Sequence, residues 1–348
     1  MSKIKIVQIG VGHDHADVIF KSLRKQTDLF EVMGHVVLPG EEVMYNDRIK
    51  AYEGTPSLTV EEALSIPGLD AAAIETDDWN LVKYAQMAAD AGLHVTMDKP
   101  GSEDPADFER MLSTVKAHGK VFAIEYMYRY NPAVREALEL ARSGKLGELY
   151  AVEAQMNCDL ALEKRDWLGH FKGGMTFYLG CHLADLIVRF MGVPEAIIPF
   201  NKPTGIDGVT ATEFGMAVFQ YKNGCSFLKT CGAEVGGFPR RQLVVAGSRG
   251  TIEIKPLEMN TSTTCVSTLE SERILYRREG TKRLSWRNRG EYRRFADFDR
   301  YDDMMRDFAE KVARGPSTDE ELAYEAMIHR VVLAACGIEC DFRGEIRL

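Results

Sequence analysis

The 348-residue chain predicts two domains: an α/β N-terminal domain with a doubly wound parallel sheet over residues 1–125, and an α+β C-terminal domain with a large, mainly antiparallel sheet over residues 126–348. Three observations lead there. Strand-like and helix-like runs alternate through the first third of the chain. Gly10-Val11-Gly12 stands where the first strand gives way to the first helix. From residue 148 onward, strand-like runs follow one another across short turns instead of helices.

The first domain reads in order as a strand at 3–9, a helix at 16–25, a strand at 31–38, a short helix at 60–65 and a strand at 71–75. A helix at 81–91 follows, then a strand at 93–97 closing on Asp98-Lys99-Pro100, a helix at 105–118 and a strand at 121–125. This βαβα order implies parallel strands with helices on both faces, and ligands that gather beyond the strands' carboxyl ends.

The second domain carries strand-like runs at 148–156, 210–221, 225–231, 242–246 and 251–255, joined by turns such as Lys222-Asn223-Gly224. Residues 261–268 with 274–278 read as a further hairpin. Residues 291–313 read as one long helix, with Phe295, Phe298, Met305, Phe308 and Val312 as a core stripe and Asp302, Asp303, Arg306 and Asp307 as its solvated face. A last helix spans 318–336, with acids in its first turn.

Residues 172–190 stand apart. A helix from Thr176 places Tyr178, His182, Asp185 and Arg189 at offsets of about four, three and four, on one face, opposite Leu179, Leu183, Leu186, Ile187 and Phe190. Two readings stay open. The stripe is a solvated face, or His182 exchanges a proton while Asp185 holds it, above a floor at Gly173-Gly174.

Composition narrows the function. A net charge of -9 and 27% charged residues, without a basic stripe, argue against nucleic acid as a partner. No run of about twenty apolar residues offers a membrane span, and residues 1–10 run straight into a strand without a cleavage signal. A cytoplasmic protein is expected. Seven scattered cysteines without a Cys-x-x-Cys pair suggest neither a disulfide framework nor a zinc site, and Cys336 and Cys340 read as packing residues.

At the first carboxyl end, Gly10 permits a tight turn and Gly12 lets backbone approach a pyrophosphate, although His15 occupies the place of the third fingerprint glycine. A plain strand-to-helix turn is the alternative. An acid to hold the ribose of NAD is missing where the second strand ends, at Leu38; Glu41 and Glu42 come late, and no arginine stands there for a 2′-phosphate. NAD is therefore the expected cofactor, with NADP left open. Thr76, Asp77, Asp78 and Asn80, after the strand at 71–75, are candidates for the adenosine or ribose, or plain turn formers. His13 and His15 either meet the pyrophosphate or cap the first helix. No metal is expected, because alternate residues on a turn rarely converge without further ligands. Lys99 projects an ammonium from a carboxyl-end position, with Asp98 beside it to pair with that charge or with a ribose. Arg129 contacts cofactor or braces the hinge; Trp167 lines a substrate pocket or seals the domain interface.

Taken in order, Gly10-x-Gly12, Ala89-Asp-Ala91 leading to Asp98-Lys99-Pro100, Arg129-Tyr-Asn-Pro132, Gly144-Lys-Leu-Gly147-Glu, Asp166-Trp167, and Gly173-Gly174 ahead of Gly180-Cys-His182-Leu-Ala-Asp185 resemble the Gfo/Idh/MocA oxidoreductases, relatives of glucose-fructose oxidoreductase and inositol dehydrogenase. Asp98-Lys99-Pro100 is similar to that family's Glu-Lys-Pro motif with a shorter acid. The resemblance implies a Rossmann domain, a nicotinamide cofactor, Lys99 on the reacting oxygen, and His182 as the acid or base, with Tyr178 and Asp185 in support. It also implies Trp167 and Tyr178 at the substrate, and a homodimer or homotetramer formed through the C-terminal sheet. Tyr178 stands where the family often has an aspartate, and a phenol cannot supply that carboxylate's charge at neutral pH. The expected function is hydride transfer between a secondary hydroxyl of a sugar, polyol or glycoside and nicotinamide, with transient oxidation ahead of aglycone elimination as a variant. The competing reading is a cofactor-binding sensor or regulatory protein without turnover.

Overall fold

A computed structural model describes residues 2–262, 267–278, 288–346 and 348. It divides into two compact units, one made of residues 1–127, 301–329 and 345–348, the other of residues 128–300 and 330–344. The sequence reading kept 126–348 together; in the structure residues 301–329 belong to the first unit.

In the first unit, β1 (Ile4–Ile9), α1 (Ala16–Lys25), β2 (Phe30–Val36), α2 (Glu42–Arg48), β3 (Ser57–Leu58), α3 (Val60–Leu64), β4 (Ala71–Ile74), α4 (Leu81–Asp90), β5 (His94–Met97), α5 (Pro105–Ala117) and β6 (Phe122–Ile124) follow in order. The six strands form a sheet in the order β3-β2-β1-β4-β5-β6, and every pairing is parallel. All four residues of β4, Ala71 to Ile74, are buried, as expected of a parallel strand covered on both faces. Helix ends are set locally: Thr59 and Glu62 form a reciprocal capping box on α3, and Asp104 caps α5 at Ala106 with Pro105 in the first turn. The sequence missed α2, which buries no residue, and β3, which is two residues long, because neither carries a hydrophobic period.

The order reverses at β1, which lies between β2 and β4. Loops leaving these strands therefore face the crevice where open α/β sheets take their ligands. Gly10 makes the turn possible, since its φ is +91° and a Cβ there would lie 2.6 Å from the Thr76 backbone.

The second unit begins with α6 (Pro132–Arg142), capped by Asn131 Oδ1, which accepts from Ala133 N–H at 2.9 Å. β7 (Leu149–Asn157), α7 (Leu162–Trp167), α8 (Cys181–Met191), β8 (Ala196–Pro199), β9 (Phe214–Gln220), β10 (Cys225–Cys231), β11 (Gln242–Gly247), β12 (Gly250–Ile254), β13 (Met259–Asn260), β14 (Thr268–Arg277) and β15 (Glu291–Asp299) follow. The strands form one nine-stranded sheet in the order β13-β14-β12-β11-β7-β10-β9-β8, with β15 on β14. The pairings are antiparallel except β7 with β10. Alternate residues, such as Val152, Ala154 and Met156 on β7 and Leu243 and Val245 on β11, point to the covered face, and α8 packs on β7 and β10.

Three expectations change. Residues 291–313 are not one helix: Glu291–Asp299 is a strand, and only α9 (Asp302–Arg314) is helical. Pairing with β14 decides it, through Arg294 with Glu270 and Arg273 with Glu291, while Asp297 at φ +58° accommodates the bulge opposite Leu269 and Ser271. The spacing of Phe295 and Phe298 mimicked a helix by chance, whereas Met305 and Phe308 do lie in the core. Asp302 is not a solvated acid, since it accepts from Ser22 at 2.8 Å and pairs with Lys25, tying α9 to α1. The hairpin expected at 261–268 with 274–278 falls partly outside the described residues, and Thr268 to Arg277 run as one strand. The last helix, α10 (Asp319–Ala335), starts where expected, with Thr318 and Glu321 bonding reciprocally.

The helix expected from Thr176 opens instead with a π-helical stretch, Thr176–Gly180, before α8. Gly174 leads the chain into it: its φ is +47°, and a Cβ would lie 2.0 Å from the Thr212 carbonyl oxygen. Gly174→Ala should destabilise the protein by at least about 2 kcal/mol, read as a lower urea midpoint, because both the conformation and the space exclude a side chain. An unchanged midpoint would mean that the entry to this stretch is not so constrained.

Candidate active site

In the first unit, five carboxyl ends of the parallel sheet bring candidate side chains together. After β1, the loop Gly10–His15 is held by Glu41, a buried side chain whose carboxylate accepts from Val11 N–H at 2.8 Å, Leu38 N–H at 3.1 Å and Thr76 Oγ1 at 2.6 Å. An acid thus stands beside the glycine loop, although later in the chain than the spacing expected of a ribose-holding acid. Strand β2 ends at Val36, and the turn that follows carries Glu41 back to the glycine loop, so a count of about twenty residues stops short of it. Gly12 makes room for this contact, since a Cβ there would lie 2.6 Å from Glu41 Oε1. Leu38 and Thr76 are buried beside it, Asp77 accepts from the Asn80 N–H at 2.8 Å, and Trp79 on the same turn is 48% exposed. Sequence reasoning did not single out Trp79, although a tryptophan in a turn otherwise made of Asp and Asn is a visible signal.

His13 and His15 converge, contrary to the expectation for alternate residues on a turn. Their partner comes from the end of β5: Asp98 Oδ2 lies 2.7 Å from His13 Nδ1 and 3.0 Å from His15 Nδ1, while Asp98 Oδ1 accepts from Lys99 N–H at 2.7 Å. His15 opens α1 without a side-chain capping bond, so helix capping is not its role. Lys99 is buried, with Nζ 3.8 Å from Asp78 Oδ1, and the same oxygen is 3.6 Å from His13 Nε2. Arg48 braces the loop by donating to the His13 carbonyl at 2.9 Å and the Asp14 carbonyl at 3.1 Å.

Behind Asp98 stand Glu75, after β4, and Glu125, after β6; atoms of the three carboxyl groups lie within 4.8 Å of one another. Burial and the neighbouring carboxylates push Glu75 well above the carboxylate range and Glu125 up to about 8, so both are protonated acids at neutral pH. Against a burial penalty of its own, the charges and hydrogen bonds of His13 and His15 hold Asp98 well below that range. Burial would lower His13, but Asp98 and then Asp78 overcome it and raise the imidazole to about 9. For His15 burial outweighs the pull of Asp98, and its pKa falls below the ordinary value. The loop therefore presents a charged His13 and a neutral His15 to one carboxylate.

The second unit holds a separate group of candidate side chains. His182, in the first turn of α8, is buried, and its ring meets Tyr128 edge-on at 5.1 Å and 79°. Tyr128 is fixed in turn by Glu258 and by Arg241 Nη1 at 3.2 Å. Asp185 does not hold His182 as expected: its carboxylate pairs with Arg129, Nε to Oδ1 and Oδ2 at 3.1 and 3.0 Å and Nη2 to Oδ1 at 2.7 Å. Consecutive residues Tyr128 and Arg129 thus reach two positions one turn apart on α8. Tyr178, in the π-helical stretch, turns to a different set of neighbours, with its ring 5.4 Å from Trp167 at 78° and 4.8 Å from Lys164 Nζ. Lys164 Nζ also lies 3.6 Å over the Trp167 ring. All residues from Cys181 to Val188 are buried, which removes the reading of a solvated stripe.

The residues fit a dinucleotide. The glycine loop stands at a helix start, the kind of place that takes a dinucleotide phosphate, and the Glu41 carboxylate lies beside it. Two family models match the chain: "Oxidoreductase family, NAD-binding Rossmann fold" over residues 4–126, and "GFO/IDH/MocA C-terminal domain" over residues 134–253. Among curated relatives, the chain is 27% identical over 118 residues to D-glucoside 3-dehydrogenase of Escherichia coli, covering 32% of this chain and 33% of the relative. It is 26% identical over 168 residues to D-xylose 1-dehydrogenase (NADP(+)) 2 of Haloferax volcanii, covering 48% of this chain and 51% of the relative. The match therefore spans about a third to a half of the length of these relatives. Among solved structures, a putative NADPH-dependent oxidoreductase from Desulfitobacterium hafniense superposes with a TM-score of 0.77 at 18% identity, covering 97% of this chain and 95% of that one, a likeness of fold.

The buried protons predict a pH dependence of stability. From pH 7 to about 8 the folded unit keeps the Glu125 proton that an unfolded chain, at the ordinary 4.5, has lost; to about 9 it keeps the His13 proton that the unfolded chain loses near 6.5. In both cases the unfolded state binds fewer protons, so stability falls as pH rises. The thermal midpoint should drop by about 3 °C or more between pH 7 and pH 9, and Glu125→Gln should flatten that drop. A midpoint that rises over this range would contradict the assignment.

Proposed function

The chain belongs to the GFO/IDH/MocA oxidoreductase family, and from that premise we propose that it is an NAD-dependent oxidoreductase acting on a secondary hydroxyl of a sugar, polyol or glycoside. The observation that carries this reading is the buried Lys99 ammonium beside Asp78, at the end of the strand next to β4 and in the same unit as the glycine loop. Two curated relatives are sugar dehydrogenases, which supports the substrate class.

Gly10, Gly12, Glu41, Thr76, Asp77 and Asn80 would hold the dinucleotide, with Trp79 exposed for stacking. Bound nicotinamide supplies the hydride chemistry. Lys99 donates to the substrate oxygen and stabilises the negative charge that develops there. His182 takes the hydroxyl proton during oxidation and returns it during reduction. Tyr128 keeps the imidazole ring in place, and Arg129 neutralises Asp185 so that no unpaired carboxylate competes for it. Trp167 and Tyr178 offer aromatic edges and faces to the carbon-bound hydrogens of a sugar ring. Assembly as a homodimer or homotetramer through the nine-stranded sheet belongs to the same proposal, as does a cytoplasmic location.

Given NAD and a panel of polyols, monosaccharides and glycosides, the protein should generate reduced cofactor absorbance with at least one substrate; silence across the panel with cofactor bound would favour a sensor without turnover. His182→Ala and Lys99→Ala should each lower kcat by about 100-fold or more while cofactor affinity stays within a few-fold. Full activity in either variant removes that residue from the mechanism.

Glu41 also predicts cofactor choice. A carboxylate at the ribose would repel a 2′-phosphate, so kcat/KM should favour NAD over NADP, and Glu41→Gln should shrink that preference by about tenfold. A wild-type preference for NADP would refute this role for Glu41.

A further inference from the structure

We propose that His329, on α10, is a positioning residue for Lys99: its imidazole grips the peptide of Ser102 and so fixes the backbone that carries the ammonium. The inference rests on the oxidoreductase reading, in which Lys99 meets the substrate oxygen, and adds to it the group that sets where the lysine stands.

Residues 98–104 carry the chain from β5 to α5 within the first unit. Ahead of Lys99 the backbone is tied by Asp98 Oδ1, which accepts from the Lys99 N–H at 2.7 Å. Beyond it come Pro100 and Gly101, and Gly101 stands at φ +108°, where the chain has none of the restraint that a side chain imposes. His329 supplies the second tie. Its Nε2 lies 2.6 Å from the Ser102 carbonyl oxygen and 3.2 Å from the Ser102 nitrogen, across 227 residues of sequence. One ring nitrogen cannot donate and accept at once, and the shorter contact places the proton on Nε2, which donates to the carbonyl.

The imidazole is itself fixed. It is buried, and its ring stacks on Phe108 of α5 at 4.2 Å and 19°. The loop is shaped to admit it, since a Cβ at Gly101 would lie 2.8 Å from His329 Cδ2. A leucine would fill this space without the cost of burying a polar ring. What the imidazole does that leucine cannot is bond the Ser102 peptide, three residues after Lys99. A lysine carries its charge on a flexible four-carbon stem, so the ammonium is placed only as well as the backbone is held on both sides of it. A misplacement of about 1 Å at a reacting group costs on the order of 100-fold in rate. Cofactor affinity should not follow, because Glu41 holds the glycine loop through Val11, Leu38 and Thr76, bonds in which His329 takes no part.

Two measurements test the role. In the cofactor-free protein, amide hydrogen exchange over residues 98–104 should quicken by about tenfold in His329→Leu and stay close to wild type in His329→Gln, whose amide reaches the place of Nε2. Unchanged exchange in the leucine variant overturns the proposal. In turnover, His329→Leu should lower kcat by about tenfold with the KM for NAD within about threefold, and His329→Gln should recover most of the rate. Placed in a Lys99→Ala background, His329→Leu should cost less than about twofold more, because the group it positions is gone. Should the leucine variant not fold, His329→Asn, whose amide reaches only the place of the nearer ring nitrogen, takes its part in each comparison. A His329 variant as fast as wild type, or one that loses the same factor with and without Lys99, refutes the positioning role while the oxidoreductase reading stands. A wild type that binds NAD but turns over no substrate refutes that reading, and the positioning role with it.

Discussion

A single oxygen atom, Asp98 Oδ2, holds together the loop after β1 and the end of β5, because His13 and His15 both bond to it. Its carboxylate partner oxygen takes the Lys99 backbone N–H, so the position of the lysine depends on the same group. This arrangement has a physical cost. An ionised carboxylate with no exposure to water persists only because two imidazoles solvate it and Glu75 and Glu125 stay protonated behind it. Loss of any one of these groups would leave the others buried with the wrong charge, which is why the glycine loop and the lysine strand behave as one piece.

The sheet unit solves a similar problem with a different set of side chains. His182 sits on a helix whose first eight residues are all buried, so its neighbours must be supplied by the protein rather than by water. Tyr128 and Arg129, side by side in sequence, reach His182 and Asp185 respectively. Behind them Glu258 accepts from Tyr128 and pairs with Arg241 and Arg300, a buried carboxylate whose charge is balanced on two sides. The π-helical stretch before α8 gives Tyr178 a separate environment with Trp167 and Lys164. An inserted π turn often marks a functional position in a helix, and here it separates an aromatic platform from an imidazole that regular helical spacing would have put on one stripe.

Much of this was legible in the amino-acid order. Continuous apolar runs gave the parallel strands, the capping region at Thr318 gave the start of the last helix, and Gly10, Lys99 and His182 were marked by residue type and by their places after strands or on a helix. Other features were not. Glu291–Asp299 resembled a helix because two phenylalanines happened to fall three apart, and its strand state is fixed by hydrogen bonds to β14, which no local pattern reveals. Glu41 was noticed but read as late for the expected spacing, and only the turn after β2 brings it back to Val11.

Sequence by itself therefore determined the two kinds of sheet and the glycine turn between the first strand and the first helix, since periodicity, turn chemistry and residue type are local properties. Tertiary structure alone decided which carboxylate meets which cation. Asp98 joins His15 from 83 residues away, and Asp185 meets Arg129 from 56 residues away instead of His182 three residues away. Such pairings depend on how strand ends and helix faces are brought together, and burial then makes each pairing obligatory, because a charge withdrawn from water must find its counter-charge wherever the fold has placed it.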